Sequence, residues 1–354
     1  MKKIGLLLLL SVFLITGCAK DSEENILKKM SKDITNSKGY ILTGKLEVVN
    51  NDDTYNYEVT SAYKKGDYYR ISLKNTANDH EQIILKNDDG VYVLTPSLKK
   101  SFKFQSDWPY NNSQVYLLQS IINDIENDSK ATMEKEKGNY VFTSTVNYPN
   151  NRNLIKQKVT VDKKMMVKKV VVLNDNDVPK ITLNVKNTDK NPKFSKNYFE
   201  IEDIMNTVET NEEQTKETSS IDDIIYPLVV PEGTKLKSEE KLNKTGGERV
   251  ILTFEGEKPF LLVEETVKQE DELTIIPTMG EPYMFMDTIG ALSDNSLTWS
   301  SGNMEQIGIC TRSGQTSHKA VLEHVRAAAS ILTNNNTSRV GVTVALTETI
   351  IIPA

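Results

Sequence analysis

Cysteine is nearly absent from this chain, with only Cys18 and Cys310 among 354 residues. Two cysteines cannot make a disulfide framework, so buried apolar surface must hold the fold. Histidine is as scarce, limited to His80, His318 and His324. No Cys/His cluster has metal-ligand spacing, and no metal or cofactor is expected. No glycine-rich phosphate loop is present; Gly246-Gly247 reads as a turn. Cys310 with His318 and His324 matches no nucleophile–base spacing, so no catalytic residue is assigned and the chain reads as non-enzymatic. Neither sign of charge dominates: 43 Lys and Arg are interspersed with 49 Asp and Glu, for a net charge of −6. That argues against nucleic acid as a partner, which calls for a basic patch or stripe. No apolar run reaches the roughly 20 residues that span a bilayer.

What is present begins at the N-terminus. Met1-Lys2-Lys3 is basic, Ile4 to Thr16 is almost unbroken apolar sequence, and Ile15-Thr16-Gly17-Cys18 leads into the polar Lys20-Asp21-Ser22-Glu23-Glu24. A basic start, a short apolar core and small residues before a cleavage point make a secretory signal. The cysteine at the junction resembles the bacterial lipobox, in which such a thiol is acylated and becomes the new N-terminus. The expectation is a signal peptide over 1–18, lipidation at Cys18, and a protein lipid-anchored on the extracytoplasmic side of the cell membrane. Stable anchoring takes two chains, and the diacylglyceryl group of lipoprotein maturation meets that need. An ordinary signal with a chance cysteine is the alternative.

From Glu24 to Thr35 the apolar residues 26, 27, 30 and 34 predict an amphipathic helix. The period then switches to two. Segments 40–48, 55–63, 68–73, 81–86 and 91–95 read as antiparallel strands joined by Asn-, Asp- and Gly-rich turns. Such strands usually keep one face wet. Pro96 to Asn112 breaks the meander. Tyr116 to Ile125 predicts a second helix, and strands resume at 131–135, 139–146, 157–162, 167–173 and 180–186. This order points to an α+β class: a curved antiparallel sheet, or half-barrel, with helices packed on its concave face. The expected organisation is a curved-sheet domain over 19–205, an acidic linker over 206–223 and a small β-rich domain over 224–304. Residues 305–354 form an atypical tail with one Lys, no Asp and no aromatic residue. Its 320–332 stretch looks helical and 340–352 looks like an apolar strand. A frameshifted or replaced C-terminus and a genuine extension both remain open.

The block Glu81 to Pro109, with Asp89-Gly90-Val91-Tyr92-Val93-Leu94-Thr95-Pro96 and Phe102-Lys103-Phe104-Gln105-Ser106-Asp107-Trp108-Pro109, resembles the outer-membrane lipoprotein carrier/sorting (LolA/LolB-like) family. It is most similar to the Gram-positive branch of sporulation or germination lipoproteins. The lipobox and the later Gly256-Glu257-Lys258-Pro259-Phe260 and Leu297-Thr298-Trp299 fit that branch. The resemblance covers roughly 1–304 and implies a half-open sheet with an apolar concave side lidded by helices. Gram-negative relatives hold acyl chains there to shuttle lipoproteins. A Gram-positive spore former has no such outer membrane, so the fold and the cavity carry over but the transport does not.

Within that block, Phe102, Phe104 and Trp108 are the expected ligand-binding residues, lining or gating an apolar cavity. Ordinary core packing of the same rings is the alternative. Plentiful tyrosines at 55, 57, 63, 68 and 69 either serve as strand formers or face outward as a binding surface. Asp88-Asp89-Gly90 lacks the later ligands of a calcium loop and reads as a hairpin turn. Two functions follow. In one, a lipid or acyl chain is held in the cavity. In the other, the sheet is filled and docks a protein partner of the spore envelope. They differ in whether helices 24–35 and 116–125 fill the sheet or leave a void. The Cys18→Ser variant should appear in the soluble fraction or retain its signal; membrane fractionation with gel mobility checks this, and wild-type behaviour would refute the lipid anchor.

Overall fold

The computed structural model describes residues 22–50, 53–149, 151–207, 232–244, 247–266, 273–285, 288–293, 296–301, 304–310 and 344–345, with isolated positions between 220 and 230. The signal with Cys18, almost all of the 206–223 linker and most of the 305–354 tail, with the helix and strand expected there, lie outside these residues. Among the described residues, no helix is long and apolar enough to cross a membrane.

Helix α1 (Glu23–Thr35) starts where Ser22 accepts the Asn25 N–H at 3.3 Å, and carries Glu23 and Glu24 in its first turn. Both features suit the positive end of the helix dipole. Its buried residues Ile26, Met30 and Ile34 are four apart, forming one stripe. Helix α2 (Leu118–Asn127) buries Leu118, Ile121, Ile122 and Ile125 but begins on Leu117, which offers no side-chain cap. The cap comes from elsewhere. The Tyr40 hydroxyl accepts the Leu118 N–H at 3.1 Å and donates to Gln119 Oε1 at 2.7 Å.

The chain is mostly β. A meander of β1 (Gly39–Asn50), β2 (Asp53–Lys64), β3 (Tyr68–Asn75), β4 (Glu81–Asn87), β5 (Gly90–Thr95) and β6 (Lys100–Phe104) is followed by α2. A second meander then runs through β7 (Thr132–Glu136), β8 (Asn139–Thr145), β9 (Leu154–Val161), β10 (Val167–Asn174) and β11 (Pro179–Asp189). The meanders join where β1 pairs antiparallel with β11, giving a large curved, unclosed sheet. A bulge at Thr43/Gly44 interrupts that seam. A Cβ on Gly44 would lie 2.5 Å from the Asn184 carbonyl oxygen, so the seam requires glycine there. The apolar stripes of α1 and α2 belong to one buried cluster with Leu42, Leu46, Tyr57, Ile71, Phe142 and Val170.

Two expectations change. Pro96 to Asn112 does not simply break the meander. A 3-10 turn (Pro96–Leu98) ends on Lys99 at φ 51°, and the chain returns as β6 alongside β5. Nor do β4 and β5 keep a wet face. Ile83, Leu85, Tyr92 and Leu94 are buried on the side away from α1 and α2, beneath Phe199 and Ile204. Phe199 and Phe194 belong to the segment leading into α3 (Ile201–Thr207), a short helix not read from sequence. Burial on both faces explains the continuous apolar runs Ile83-Ile84-Leu85 and Val91-Tyr92-Val93-Leu94.

A second sheet holds β12 (Thr234–Lys244), β13 (Gly247–Gly256), β14 (Phe260–Thr266), β16 (Glu281–Phe285), β17 (Thr288–Leu292), β18 (Ser296–Ser301), β19 (Met304–Cys310) and the two-residue β20 (Val344–Ala345). β19 pairs with β14 and β18 beyond the 304 boundary expected from sequence. Between them, β15 (Thr274–Thr278) leaves this sheet and adds in parallel to the edge strand β6 of the first. The buried Gln82 of β4 is the second tie. Its Oε1 accepts the Ile289 N–H at 2.5 Å and the Thr288 hydroxyl at 2.9 Å, while its amide donates to the Ile289 carbonyl at 3.3 Å. Gln82→Leu should cost about 1–3 kcal/mol, because it leaves buried β17 groups unpaired. Urea unfolding checks this, and proteolysis should cut the second sheet first.

Candidate ligand cavity

A cavity of about 340 Å³ opens where β1 and β11 end beside β16. That volume falls within the range of small-molecule sites. Its floor is Leu46 and Val48 of β1, Ile84 of β4 and Ile181 of β11, with Val48 and Ile181 directly opposite one another. One wall is the connection into α2, with Val115 and Tyr116. The facing wall is the β8–β9 connection, with Tyr148 and Leu154. Pro282, Tyr283 and Met284 of β16 close the side toward the second sheet. Asn112, Gln114, Asn151, Asn153, Asn174 and Lys180 contribute polar groups.

The two walls are stitched together. Ser113 donates its N–H to the Asn147 carbonyl at 2.8 Å, and Asn147 returns its own N–H to Ser113 Oγ at 2.8 Å. The Asn147 amide also donates to the Asn111 carbonyl at 3.2 Å. On the facing wall, Asn151 N–H reaches the Tyr148 carbonyl and Leu154 N–H reaches Asn151, each at 2.9 Å.

Phe102, Phe104 and Trp108 do not line this cavity. Phe104 and Trp108 are buried in the main core, and Phe102 packs against it. Trp108 is 1% exposed and ends an aromatic ladder. Tyr40, Tyr63 and Tyr69 stand 5.5 and 5.2 Å apart, and Tyr69 meets Trp108 edge-on at 5.8 Å. The Trp108 carbonyl accepts Lys86 Nζ at 3.0 Å, and that lysine also pairs with Asp67 at 2.8 Å. Trp108 therefore anchors the chain just before it becomes the 112–116 wall. The tyrosines do not form an outward-facing surface either. Tyr55, Tyr57 and Tyr69 are buried, and Tyr63 and Tyr68 are half-buried against other rings.

Asp88 and Asp89 sit in the β4–β5 hairpin, where Asp89 N–H donates to Asn87 Oδ1 at 3.0 Å. Among the described residues, no group of three or more His, Cys, Asp or Glu is placed to hold a metal. The charge near the cavity is instead tuned by burial. The hydroxyl pKa of Tyr116 is pushed up by desolvation. That of Tyr148 is pushed well up, first by desolvation and then by the Asp124 and Tyr116 charges. Asp124, on α2 behind this wall, is raised by burial from 3.8 to about 6, partly opposed by a Ser113 hydrogen bond. Its carboxylate accepts the Gln157 amide at 3.3 Å.

The fold and site together define an open-sheet β protein with a ligand-sized cavity. The chain belongs to the YdcC-like sporulation protein family, whose sequence model matches residues 1–199. It is 34% identical over 301 residues to the sporulation protein YdcC of Bacillus subtilis (strain 168), covering 84% of this chain and 89% of that one. Solved structures give weaker likenesses. A chain of the Pseudomonas aeruginosa MucA/MucB complex is 11% identical, with 80% of this chain and 90% of that chain covered and a TM-score of 0.31. The match to the CwlD amidase–GerS lipoprotein complex from Clostridioides difficile is 20% identical, with 51% and 99% covered and a TM-score of 0.27. A LolA superfamily protein from Nitrosomonas europaea is 12% identical, with 51% and 97% covered and a TM-score of 0.28. At scores of this size the three establish no shared function.

Asp124 sets a pH dependence. Its folded pKa lies above the unfolded value, so the folded state binds the extra proton and stability falls as pH rises from about 4 to about 6. Asp124→Asn should flatten that window and be more stable at pH 7 by about 1–2 kcal/mol, discounted for partial exposure. Urea midpoints from pH 4 to 8 check the slope.

Proposed function

We propose that the protein is a non-enzymatic, extracytoplasmic sporulation lipoprotein, anchored through Cys18, that holds a lipid acyl chain in the cavity beneath β16. The observation that carries this reading is the cavity itself. Leu46, Val48, Ile84, Val115, Leu154 and Ile181 supply an apolar floor and walls, while asparagines and Lys180 supply polar groups. An apolar body with a few convergent polar groups is how ligand sites are commonly built. The helices α1 and α2 would lie on the concave side of the sheet, with the cavity left at one end of it. The sporulation role rests on family membership and on the Bacillus subtilis relative.

A second reading, a filled sheet that docks a spore-envelope protein, is favoured by one observation. The strand residues Leu42, Leu46, Tyr57, Ile71 and Val93 share a buried cluster with the apolar stripes of both helices, so most of the sheet is already packed. Native mass spectrometry of the full chain, extracted mildly from its host, separates the two readings. A lipid-sized mass lost on denaturation supports the cavity. Leu154→Trp, which fills it, should abolish that adduct at a stability cost of about 1–3 kcal/mol. Val48→Phe gives the same readout if the tryptophan variant does not fold. An empty, folded wild type would favour the docking reading.

A further inference from the structure

The cavity carries an asymmetry of charge that its apolar lining does not require. The chain as a whole is acidic, with 49 Asp and Glu against 43 Lys and Arg. Yet the described lining holds one lysine, Lys180, and no carboxylate. Lys180 is half-buried near the start of β11, next to the floor residue Ile181, and makes no ion pair among the described residues. The two carboxylates of the β10–β11 turn have partners of their own. Asp177 pairs with Lys156, and Asp175 accepts the Asn176 amide at 3.1 Å. Asp124 lies behind Tyr148 and is held toward its neutral form by burial. Asn151, Asn153 and Asn174 share the lining with Lys180. The Asn174 oxygen is already committed to the N–H groups of Asn176 and Val178, at 3.1 and 2.8 Å, which leaves its amide as a donor.

A half-buried ammonium with no ion pair among the described residues, in a lining shared with asparagine amides, suits an anion; charge-assisted hydrogen bonds are about twice as strong as neutral ones. We infer that the ligand is a lipid with an anionic headgroup, its phosphate or carboxylate taken by Lys180 and the adjacent asparagine amides, its acyl portion lying on Leu46, Val48 and Ile181. This deepens the acyl-chain reading and rests on it.

The test uses monomeric short-chain lipids, so that vesicles play no part. Full-length protein is titrated with dihexanoyl phosphatidic acid, with dihexanoyl glycerol, which has the same chains and no charge, and with inorganic phosphate. The wild type should bind the phosphatidic acid at least about ten-fold tighter than the glyceride. Lys180→Ala should erase that preference, and Lys180→Arg should restore it. Inorganic phosphate alone should bind far more weakly. Equal binding of both lipids by the wild type, or an undiminished preference in Lys180→Ala, would overturn the headgroup assignment and leave the cavity standing. Phosphate binding as tightly as phosphatidic acid would also overturn it, by assigning the site to the free ion. Failure of both lipids to bind would instead sink the acyl-chain reading beneath it.

Discussion

The seam between β1 and β11 is the pairing on which the rest of the structure depends. Residues some 140 positions apart must meet in register, Val48 against Ile181 and Leu46 against Leu183. Without it, each meander is a smaller sheet with an exposed long edge, the kind of edge that natural proteins cover. Local turns cannot set this register, so the chain sets it by packing. Leu42, Leu46, Val170 and Leu183 belong to the same buried cluster. A slip of β1 by one residue would turn Leu42 and Leu46 away from the face that Leu183 and Val170 share. The bulge at Gly44 absorbs the one irregularity, and only a residue without a Cβ clears the Asn184 carbonyl there.

The helices depend on that seam in turn. Tyr40 lies on β1, fully buried, and its hydroxyl stands in for the missing N-cap of α2. A tyrosine on a strand can cap a helix only where strand and helix are held in register, so the N-terminus of α2 depends on the placement of β1. The same hydroxyl has its pKa pushed up by burial, which keeps it a neutral donor and acceptor throughout the physiological range. The second sheet is held differently, by groups that are polar and buried. Gln82 offers a carboxamide to the Ile289 backbone as another strand would, and β15 extends the first sheet from β6. Apolar surface joins the two sheets; the glutamine fixes where they join.

Much of the first sheet was legible because its signals are local. The period-two runs, the Asn87–Gly90 hairpin and the stripe of Ile26, Met30 and Ile34 each need only a few neighbouring residues to be read. What was not legible was set at a distance. The strand β6 hides behind a proline turn whose exit, Lys99, adopts a left-handed conformation that lysine seldom favours. The edge strand β12 reads as a run of Lys and Glu, because strand edges are protected by charge rather than by apolar alternation. The aromatic block at 102–108 drew attention as a possible cavity lining because aromatics suit both cores and ligands. Phe104 and Trp108 are buried in the core and Phe102 packs against it, while the cavity is assembled from β1, β4, β11, two loops and β16. None of these is unusual in its own sequence, and only their convergence makes a site.

The composition of that cavity follows from its cost. Apolar side chains that face an open space of about 340 Å³ give up packing contacts there, which costs the fold stability. A chain under no other constraint would close such a space with larger side chains. Here the floor is Val48, Ile84 and Ile181, and the polar wall is asparagine, serine and glutamine, groups that hold water where leucine would leave a gap. The asparagines thus lower the cost of keeping the space open and supply the donors that an amphipathic ligand would meet.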